Sequence, residues 1–150
     1  MRILKFAMIA IALLASTTLA VAVESKEGAM AMVKKAVTLI KADGPEKAYA
    51  TISAQGNQFV DGGIYAVVQG FDGVTLAHAT NPKLIGKNMI EQQDVDGKFF
   101  ARDLAENGKK QTAFWYDFKF VNPATKKIQV KDMYCESVQQ SVVCAGLYRP

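Results

Sequence analysis

The residue best suited to chemistry is His78, the only histidine of the chain, which lies in the stretch DGVTLAHATNPKLIGKN. A histidine can act as a general base, hold a metal ion or donate a hydrogen bond to a ligand. The sequence shows no Ser-His-Asp arrangement, no metal-ligand spacing and no glycine-rich phosphate loop around it. Asp94 and Asp96 flank Gly97 and could bind calcium, but without a full EF-hand pattern a solvated turn is favoured. The pattern therefore points away from an enzyme and implies no cofactor, and it leaves ligand-binding and structural roles open for the histidine.

A tight hairpin predicts which side chains accompany this histidine. From residue 64 the apolar pattern has a period of two, and Asp72-Gly73 between two such runs predicts a two-residue type I′ turn. Counting outward from that turn pairs Val67 with His78 and Gln69 with Leu76. One face of the hairpin then carries Tyr65, Val67, Gln69, Leu76 and His78. This face combines apolar walls with three hydrogen-bonding groups, which is how proteins hold a small polar ligand.

Two further residues could lie on either side of the sheet. Lys131 shares parity with Met133 and Cys135, and a lysine in such an alternating strand ordinarily faces solvent. Turned inward, it would supply a point charge suited to a carboxylate. Trp115 has the parity opposite to the neighbouring aromatic row that begins at Phe114, so it is either a pocket wall or a surface residue.

The remaining elements are predicted from periodicity and end signals. Residues 25–42 have helical spacing with Ser25 as the cap, residues 45–54 form a second helix behind a proline, and residues 98–106 form a third. Three strands follow. With tight turns between neighbours, this order predicts an α+β fold in which the long N-terminal helix packs on one face of a five-stranded antiparallel sheet.

The N-terminus has the layout of a secretory leader. Arg2 and Lys5 precede a short apolar run, and Ala20-Val21-Ala22 supplies a cleavage signal. We expect a signal peptide at residues 1–22, one domain at residues 23–150 and a periplasmic or otherwise extracytoplasmic location. An uncleaved leader would instead tether the domain to the membrane. Losing the leader also lowers the net charge below the +4 of the whole chain, which argues against nucleic acid as a partner.

Export makes the two cysteines candidates for a disulfide. If Gln139-Gln140 is a two-residue turn, Cys135 and Cys144 face each other as a non-hydrogen-bonded pair, whose spacing suits a bridge. No C-x-x-C motif suggests redox activity. We therefore predict a structural disulfide that stabilises the last hairpin.

Two longer motifs resemble a known family. Residues 76–88 read L-A-H-x-x-N-P-x-L-x-G-K-N, and residues 122–134 read N-P-x-T-x-K-I-x-x-K-x-x-Y. In this order they resemble the single Cache domain of type 2, found outside the bacterial cytoplasmic membrane, and the resemblance extends from about Gly28 to Tyr148. It implies a PAS-like sheet with a long N-terminal helix. It also implies extracytoplasmic sensing of small molecules, often short organic acids, without catalytic turnover.

The resemblance also bears on individual residues. His78, Lys131 and Tyr134 stand where the family pattern has the same residue types, and Trp115 matches an aromatic position before the N-P turn. Gln69 and also the phenylalanine at position 118 stand where relatives more often have tyrosine, so the ligand of those relatives is not carried over. The cysteine pair lies outside the family pattern.

The leading hypothesis is an exported, non-enzymatic domain that binds a small anionic metabolite. Lys131 and His78 would bind its carboxylate, and a histidine near its reference pKa of about 6.5 would make binding pH-sensitive. The full expected ligand-binding set is Tyr65, Gln69, His78, Trp115, Tyr116, Lys131 and Tyr134. Few residues follow the last predicted strand, so a signal would pass to a separate membrane partner, such as a membrane-bound receptor or histidine kinase. The alternative is a Cache fold that has lost its ligand and serves as a structural or adaptor module.

Overall fold

A computed structural model describes residues 24–56 and 58–150. The predicted leader and its cleavage site lie outside these ranges. The elements are α1 (Lys26–Asp43), α2 (Pro45–Ser53), β1 (Val60–Asp61), β2 (Ile64–Gly70), β3 (Thr75–His78), a 3-10 turn (Pro82–Leu84), α3 (Phe100–Lys110), β4 (Ala113–Val121), β5 (Ile128–Val138) and β6 (Ser141–Tyr148). Within the described ranges, no helix has the length and apolar character needed to cross a membrane.

The strands form one antiparallel sheet in the order β1-β2-β6-β5-β4, and β3 also pairs with β2. Strands β1 and β3 share one edge of β2, because β1 pairs with its first two residues and β3 with residues 67–69. The predicted α+β fold is confirmed. The sheet has six strands rather than five because the two-residue β1 carries no period-two pattern long enough to be recognised.

Helix α1 packs on one face of this sheet. It begins where the Ser25 hydroxyl accepts the Gly28 N–H at 3.0 Å, and it ends at Gly44, whose positive φ of 82° turns the chain into α2. The helix buries a row of small and branched residues: Ala29, Met32, Val33, Ala36, Val37 and Ile40. They face Ala66 and Ala145, whose small side chains permit close packing of a helix on the sheet.

Helix α3 covers the opposite face. Phe100 and Leu104 pack there against Phe118, Met133 and the cysteine pair. The predicted end of this helix at residue 106, just before Asn107-Gly108, is wrong, since α3 continues to Lys110. Gly108 lies so close to the Val142 side chain that a Cβ would not fit. This glycine therefore permits close contact between α3 and the sheet and does not end the helix.

The last hairpin is as predicted. Gln139 and Gln140 form its turn, Cys135 pairs with Cys144 across β5 and β6, and the two cysteines form a disulfide with a Cα–Cα distance of 4.2 Å. The bridge lies on the α3 face of the sheet. It therefore ties together two strands that both contribute to the core beneath α3.

The first hairpin differs from its prediction in two ways that compensate each other. Its loop has three residues, because the Gly70 N–H donates to the Val74 carbonyl and Gly73 has a φ of 87°. The longer loop makes Gln69 pair with Thr75 rather than Leu76, and a β-bulge between Gln69 and Val68 then restores the predicted register. The pairing of Val67 with His78 is consequently confirmed, while Leu76 moves to the α1 face and packs with that core.

Candidate ligand-binding site

A small cavity lies between the sheet and α3. Its volume is about 80 Å³, and four residues that the sequence predicted for the site line it: Tyr65, Gln69, His78 and Lys131. The rest of its wall is apolar apart from one threonine and consists of Val67, Thr75, Leu84, Met89, Phe100, Leu104, Phe118, Phe120 and Met133. A few polar groups in an apolar chamber are the usual composition of a small-ligand site.

Lys131 brings a positive charge into this cavity. The residue is 3% exposed, and its Nζ donates to the Tyr65 hydroxyl oxygen at 2.8 Å. The ammonium also lies 4.1 Å from the centre of the Tyr65 ring and 5.2 Å from that of Tyr148. Among the residues that the structure describes, no carboxylate lies within 4.0 Å of it. The cation is thus solvated by aromatic rings and one phenol, without a counter-ion.

The hydrogen bonds of His78 fix its tautomer. Its Nδ1 accepts the backbone N–H of Asn81 at 3.0 Å and that of Thr80 at 3.4 Å, so this nitrogen carries the lone pair and Nε2 carries the proton. Burial, together with the nearby positive charge of Lys131, lowers the pKa of His78 from 6.5 to about 4. The expectation of a histidine that titrates near 6.5 is therefore wrong. At neutral pH the imidazole is an uncharged donor.

The motif around His78 is one hydrogen-bonded unit. While the Asn81 N–H donates to the histidine, the Asn81 Oδ1 accepts the Lys83 N–H at 3.3 Å and caps the 3-10 turn that Pro82 begins. This turn places Leu84 in the cavity wall. The spacing H-x-x-N-P-x-L thus has a physical basis: the histidine caps a turn, and the turn positions the leucine.

Gln69 is held against the covering helix. Its Nε2 donates to the Ala101 carbonyl of α3 at 2.8 Å, and the residue is 7% exposed. Thr75, which the three-residue loop brings opposite Gln69, lines the cavity in the place predicted for Leu76. The polar content of the cavity is therefore larger by one hydroxyl than the sequence suggested.

Three of the expected site residues lie outside the cavity. Trp115 and Tyr134 are cross-strand neighbours on the α1 face, with ring centres 5.3 Å apart, and Trp115 is 39% exposed. The Tyr134 hydroxyl donates to Glu136, and burial and then this carboxylate raise the pKa of Tyr134 to about 12. Tyr116 shares the α3 face, but its hydroxyl donates to Asp103 at 2.6 Å, away from the cavity. Because side chains alternate along a strand, Trp115 and Tyr134 lie on the face of the sheet opposite to Lys131.

Tyr148 is a neighbour of the site that the sequence reasoning missed. It pairs with Lys131 across β5 and β6, and its ring lies beside the ammonium. Burial, followed by the adjacent Tyr65, raises the pKa of the Tyr148 phenol above its usual range. The signal was present, because counting outward from the Gln139-Gln140 turn pairs positions 131 and 148.

The acidic loop around Asp94 is structural. One carboxylate oxygen of Asp94 accepts the N–H groups of Asp96 and Lys98, and the other accepts the Lys119 N–H of β4 at 2.9 Å. These backbone hydrogen bonds, that of Lys119 foremost, lower the pKa of Asp94. Over residues 24–56 and 58–150 no cluster of side chains could hold a metal ion. The loop therefore covers the free edge of β4, as the solvated-turn interpretation allows.

A larger cleft of about 790 Å³ adjoins the cavity. It shares Tyr65, His78, Leu84 and Phe120 with the cavity, and its remaining lining includes Glu24, the β4–β5 turn and Tyr148. The Glu24 carboxylate accepts the Gly63 N–H at 2.9 Å, which connects the start of α1 to this cleft. The cavity and the cleft therefore share part of their walls.

Comparison with known proteins identifies the family. The sequence profile of Single Cache domain 2 matches residues 14–147. The chain belongs to this family. Cache domains are sensor domains that bind small ligands, so the predicted resemblance is confirmed at that level. A search of curated proteins finds no match.

Solved structures support the same fold. A methyl-accepting chemotaxis protein from Vibrio parahaemolyticus has a TM-score of 0.66 at 22% identity, covering 82% of this chain and 87% of its own. A Cache chemosensory domain studied for carboxylic acid recognition has a TM-score of 0.67 at 20% identity, covering 83% and 92% respectively. At such identities the likeness shows a shared Cache architecture, in agreement with the predicted PAS-like sheet and N-terminal helix.

Proposed function

We propose that this Cache domain is an extracytoplasmic, non-enzymatic sensor for a short carboxylate, which it binds in the cavity between the sheet and α3. One observation carries the proposal: the ammonium of Lys131 is 3% exposed, faces a cavity and has no carboxylate partner among the described residues. A bound carboxylate would supply the missing negative charge.

The donors around the cavity suit a carboxylate in particular. Transferring an unpaired charge from water into a protein interior costs several kcal/mol, which a bound anion of opposite charge offsets. Lys131 gives one N–H to Tyr65 and retains others, and Nε2 of the neutral His78 is a second donor. A buried ammonium and a neutral imidazole N–H match the charge and the two oxygens of a carboxylate.

The volume restricts the size of the acid. An apolar cavity of about 150 Å³ accommodates benzene, which has six heavy atoms. The cavity here is about 80 Å³, close to half of that volume. On that scale the cavity alone holds about three to four heavy atoms, the size of acetate, so propionate, lactate and pyruvate would extend towards the adjoining cleft. The similar Cache chemosensory domain known for carboxylic acid recognition supports this class.

The signal would pass to a membrane-bound receptor or histidine kinase. Support comes from the family, whose members serve as sensor domains, and from the chemotaxis proteins with the same fold. The leader-like residues 1–22 support export to the periplasm or another extracytoplasmic compartment.

Thermal unfolding against a panel of ligands tests this function. Acetate, propionate, lactate and pyruvate are compared with the uncharged acetamide and propionamide, so that the charge of the ligand is the variable. An acid present at 100 times its dissociation constant should stabilise the domain by about 2.7 kcal/mol, and the amides should not. If none of the acids shifts the transition, the sensor proposal fails and the structural or adaptor alternative takes its place.

Two matched substitutions locate the site. Lys131→Met should abolish the stabilisation by acids, whereas Lys47→Met, at a lysine whose side chain is 73% exposed, should leave it unchanged. His78→Asn retains a side-chain oxygen for the Asn81 N–H but loses the donor that faces the cavity. It should therefore fold and bind acids weakly. Binding that survives both Lys131→Met and His78→Asn would show that the acid binds elsewhere.

A further inference from the structure

We propose that Gln69 and Thr75 form a second polar subsite in the cavity, and that this hydroxyl subsite selects acids that carry a hydroxyl group on carbon 2 or 3. The inference rests on the proposed carboxylate function and names the class of acid within it. Lys131 and His78 would hold the carboxylate, while the hydroxyl subsite would hold the neutral polar group of the same ligand.

The side-chain oxygen of Gln69 is an acceptor without a donor. The Gln69 Nε2 donates to the Ala101 carbonyl at 2.8 Å. Because a carbonyl can only accept, this bond fixes the orientation of the amide and turns Oε1 the other way. Among the residues that the structure describes, no N–H or O–H group donates to this Oε1.

This oxygen opens onto the cavity. In the described part of the chain, every fully enclosed side-chain nitrogen or oxygen has a hydrogen-bond partner, so an oxygen without a partner is not sealed inside the protein. Gln69 is 7% exposed and lines the cavity beneath α3. The accessible surface of its Oε1 therefore lies on the cavity, where a donor on a bound molecule would reach it.

The hydroxyl of Thr75 belongs to the same subsite. Thr75 pairs with Gln69 across β2 and β3, is 5% exposed and lines the same cavity. Over residues 24–56 and 58–150, no group forms a hydrogen bond with its side-chain hydroxyl. Two buried neighbours thus present one acceptor and one group that can donate. A ligand hydroxyl satisfies both, because it donates to Gln69 and accepts from Thr75.

The charge of the cavity favours a hydroxyl over an ammonium as the donor. Among the described residues, those that line the cavity include Lys131 but no aspartate or glutamate. A second ammonium would therefore be buried near the first without a counter-ion, which is strongly unfavourable. A keto oxygen cannot donate to Gln69 and would place two acceptors together. The subsite thus predicts hydroxy acids rather than amino acids or keto acids.

The register of β2 sets the spacing between the carboxylate and the hydroxyl. Three side chains of β2 line the cavity in turn: Tyr65, Val67 and Gln69. Lys131 donates to the first, His78 pairs with the second and Thr75 with the third. The hydroxyl subsite therefore lies beyond His78 along β2, and two residues of a strand advance about 6 to 7 Å. An acid held by His78 spans that distance with a hydroxyl on carbon 2 or 3 and a hydrogen bond at each end.

Isosteric pairs of ligands test the subsite by isothermal titration calorimetry. Glycolate and propionate have the same charge and the same number of heavy atoms, and they differ by a hydroxyl in place of a methyl group. The second pair is 3-hydroxypropionate and butyrate. In at least one pair the hydroxy acid should bind about tenfold tighter, since its apolar isostere leaves the Gln69 oxygen without a donor. Lactate should bind about tenfold tighter than pyruvate, and glycine should bind more weakly than glycolate.

Four variants locate the preference. Gln69→Met removes the acceptor at similar length, so the affinity ratio of the preferred pair should fall about tenfold, while acetate, which has no hydroxyl, should bind as in the wild type. Gln93→Met makes the same change at an exposed glutamine that lines neither the cavity nor the cleft, so the wild-type ratio should persist. Thr75→Val should lower the ratio by about threefold or more, and Thr75→Ser, which restores a hydroxyl, should retain it.

The outcomes separate this inference from the function on which it rests. If acetate and propionate bind but neither hydroxy acid is preferred to its isostere, the hydroxyl subsite is refuted and the carboxylate sensor stands. A preference that persists in both Gln69→Met and Thr75→Val would also refute it, because the hydroxyl would then bind elsewhere. If Gln69→Met no longer binds acetate, the loss of its bond to α3 has disturbed the cavity, and the two Thr75 variants decide. If no acid binds to the wild type, both proposals are overturned.

Discussion

The depressed pKa of His78 predicts that this single residue makes the fold sensitive to acid. The imidazole titrates near 6.5 when exposed and at about 4 in the folded protein, so between these values the unfolded chain is protonated and the folded one is not. Stability is therefore complete above pH 6.5 and is lost as the pH falls towards 4. From pH 7.5 to 5.0 the histidine should lower the free energy of unfolding by about 2 kcal/mol.

Urea unfolding at these two pH values measures the effect. The control is His78→Asn, which retains an acceptor for the Asn81 N–H and does not titrate, so its loss of stability reports all the other groups. The wild type should lose about 2 kcal/mol more than the variant. Buffers must be free of carboxylic acids, since a bound acid would stabilise the folded state.

Proton NMR supplies an independent check, because the chain has one histidine and hence one imidazole spin system. The folded protein should show a titration midpoint near 4. A midpoint near 6.5, or equal losses of stability in the wild type and His78→Asn, would refute the reasoning about burial and the neighbouring ammonium.

Three stability predictions are checked by urea unfolding of the ligand-free protein. Lys131→Met should raise the free energy of unfolding by about 1 kcal/mol or more, because it removes a buried charge that has no counter-ion; a large loss would contradict this. Replacing both Cys135 and Cys144 by alanine should lower it by about 2 to 3 kcal/mol, and no change would refute the bridge. Gly108→Ala should lower it by about 1 to 3 kcal/mol, since overpacking against Val142 outweighs the helix preference for alanine; a gain would show that the sheet accommodates the added methyl.

The first hairpin shows how far register can be predicted from sequence. Asp72-Gly73 correctly marked the turn, and the pairing of Val67 with His78 followed from counting. The count succeeded because a three-residue loop and a bulge shift the register in opposite directions. Neither has a distinct sequence signal here, since D-G occurs in both two- and three-residue loops. Leu76, the bulged residue, was assigned to the wrong face, and Thr75 takes its place in the cavity.

Parity explains which parts of the site were predictable. Once the apolar partners Met133 and Cys135 are placed on the α3 face, alternation places Lys131 with them and Tyr134 on the other face. The motif match had grouped Lys131 with Trp115 and Tyr134, because a family pattern marks positions without saying whether each serves a ligand or the core. For such residues the periodicity of the strand was the better guide.

The parts that could not be predicted depend on three-dimensional environment. The lowered pKa of His78 requires burial and the approach of Lys131 from a strand more than fifty residues away in sequence. Leu84 lies in an irregular segment without periodicity, so nothing in its local sequence indicated that it reaches the cavity. Long-range proximity of this kind is created by the topology of the sheet.

The energetics of Lys131 and His78 lead to different predictions for a sensor and for an adaptor. An uncompensated ammonium at 3% exposure reduces the stability of the empty fold, and an imidazole whose pKa is lowered to about 4 reduces it further below pH 6.5. A module that needed only the Cache architecture would be more stable with methionine and a non-titrating side chain at these positions. A carboxylate in the cavity reverses both penalties, since it neutralises the ammonium and stabilises the imidazolium. Binding should therefore raise the pKa of His78, and acid-dependent stability should weaken when the ligand is bound. An adaptor has no reason to show this coupling between occupancy and histidine titration.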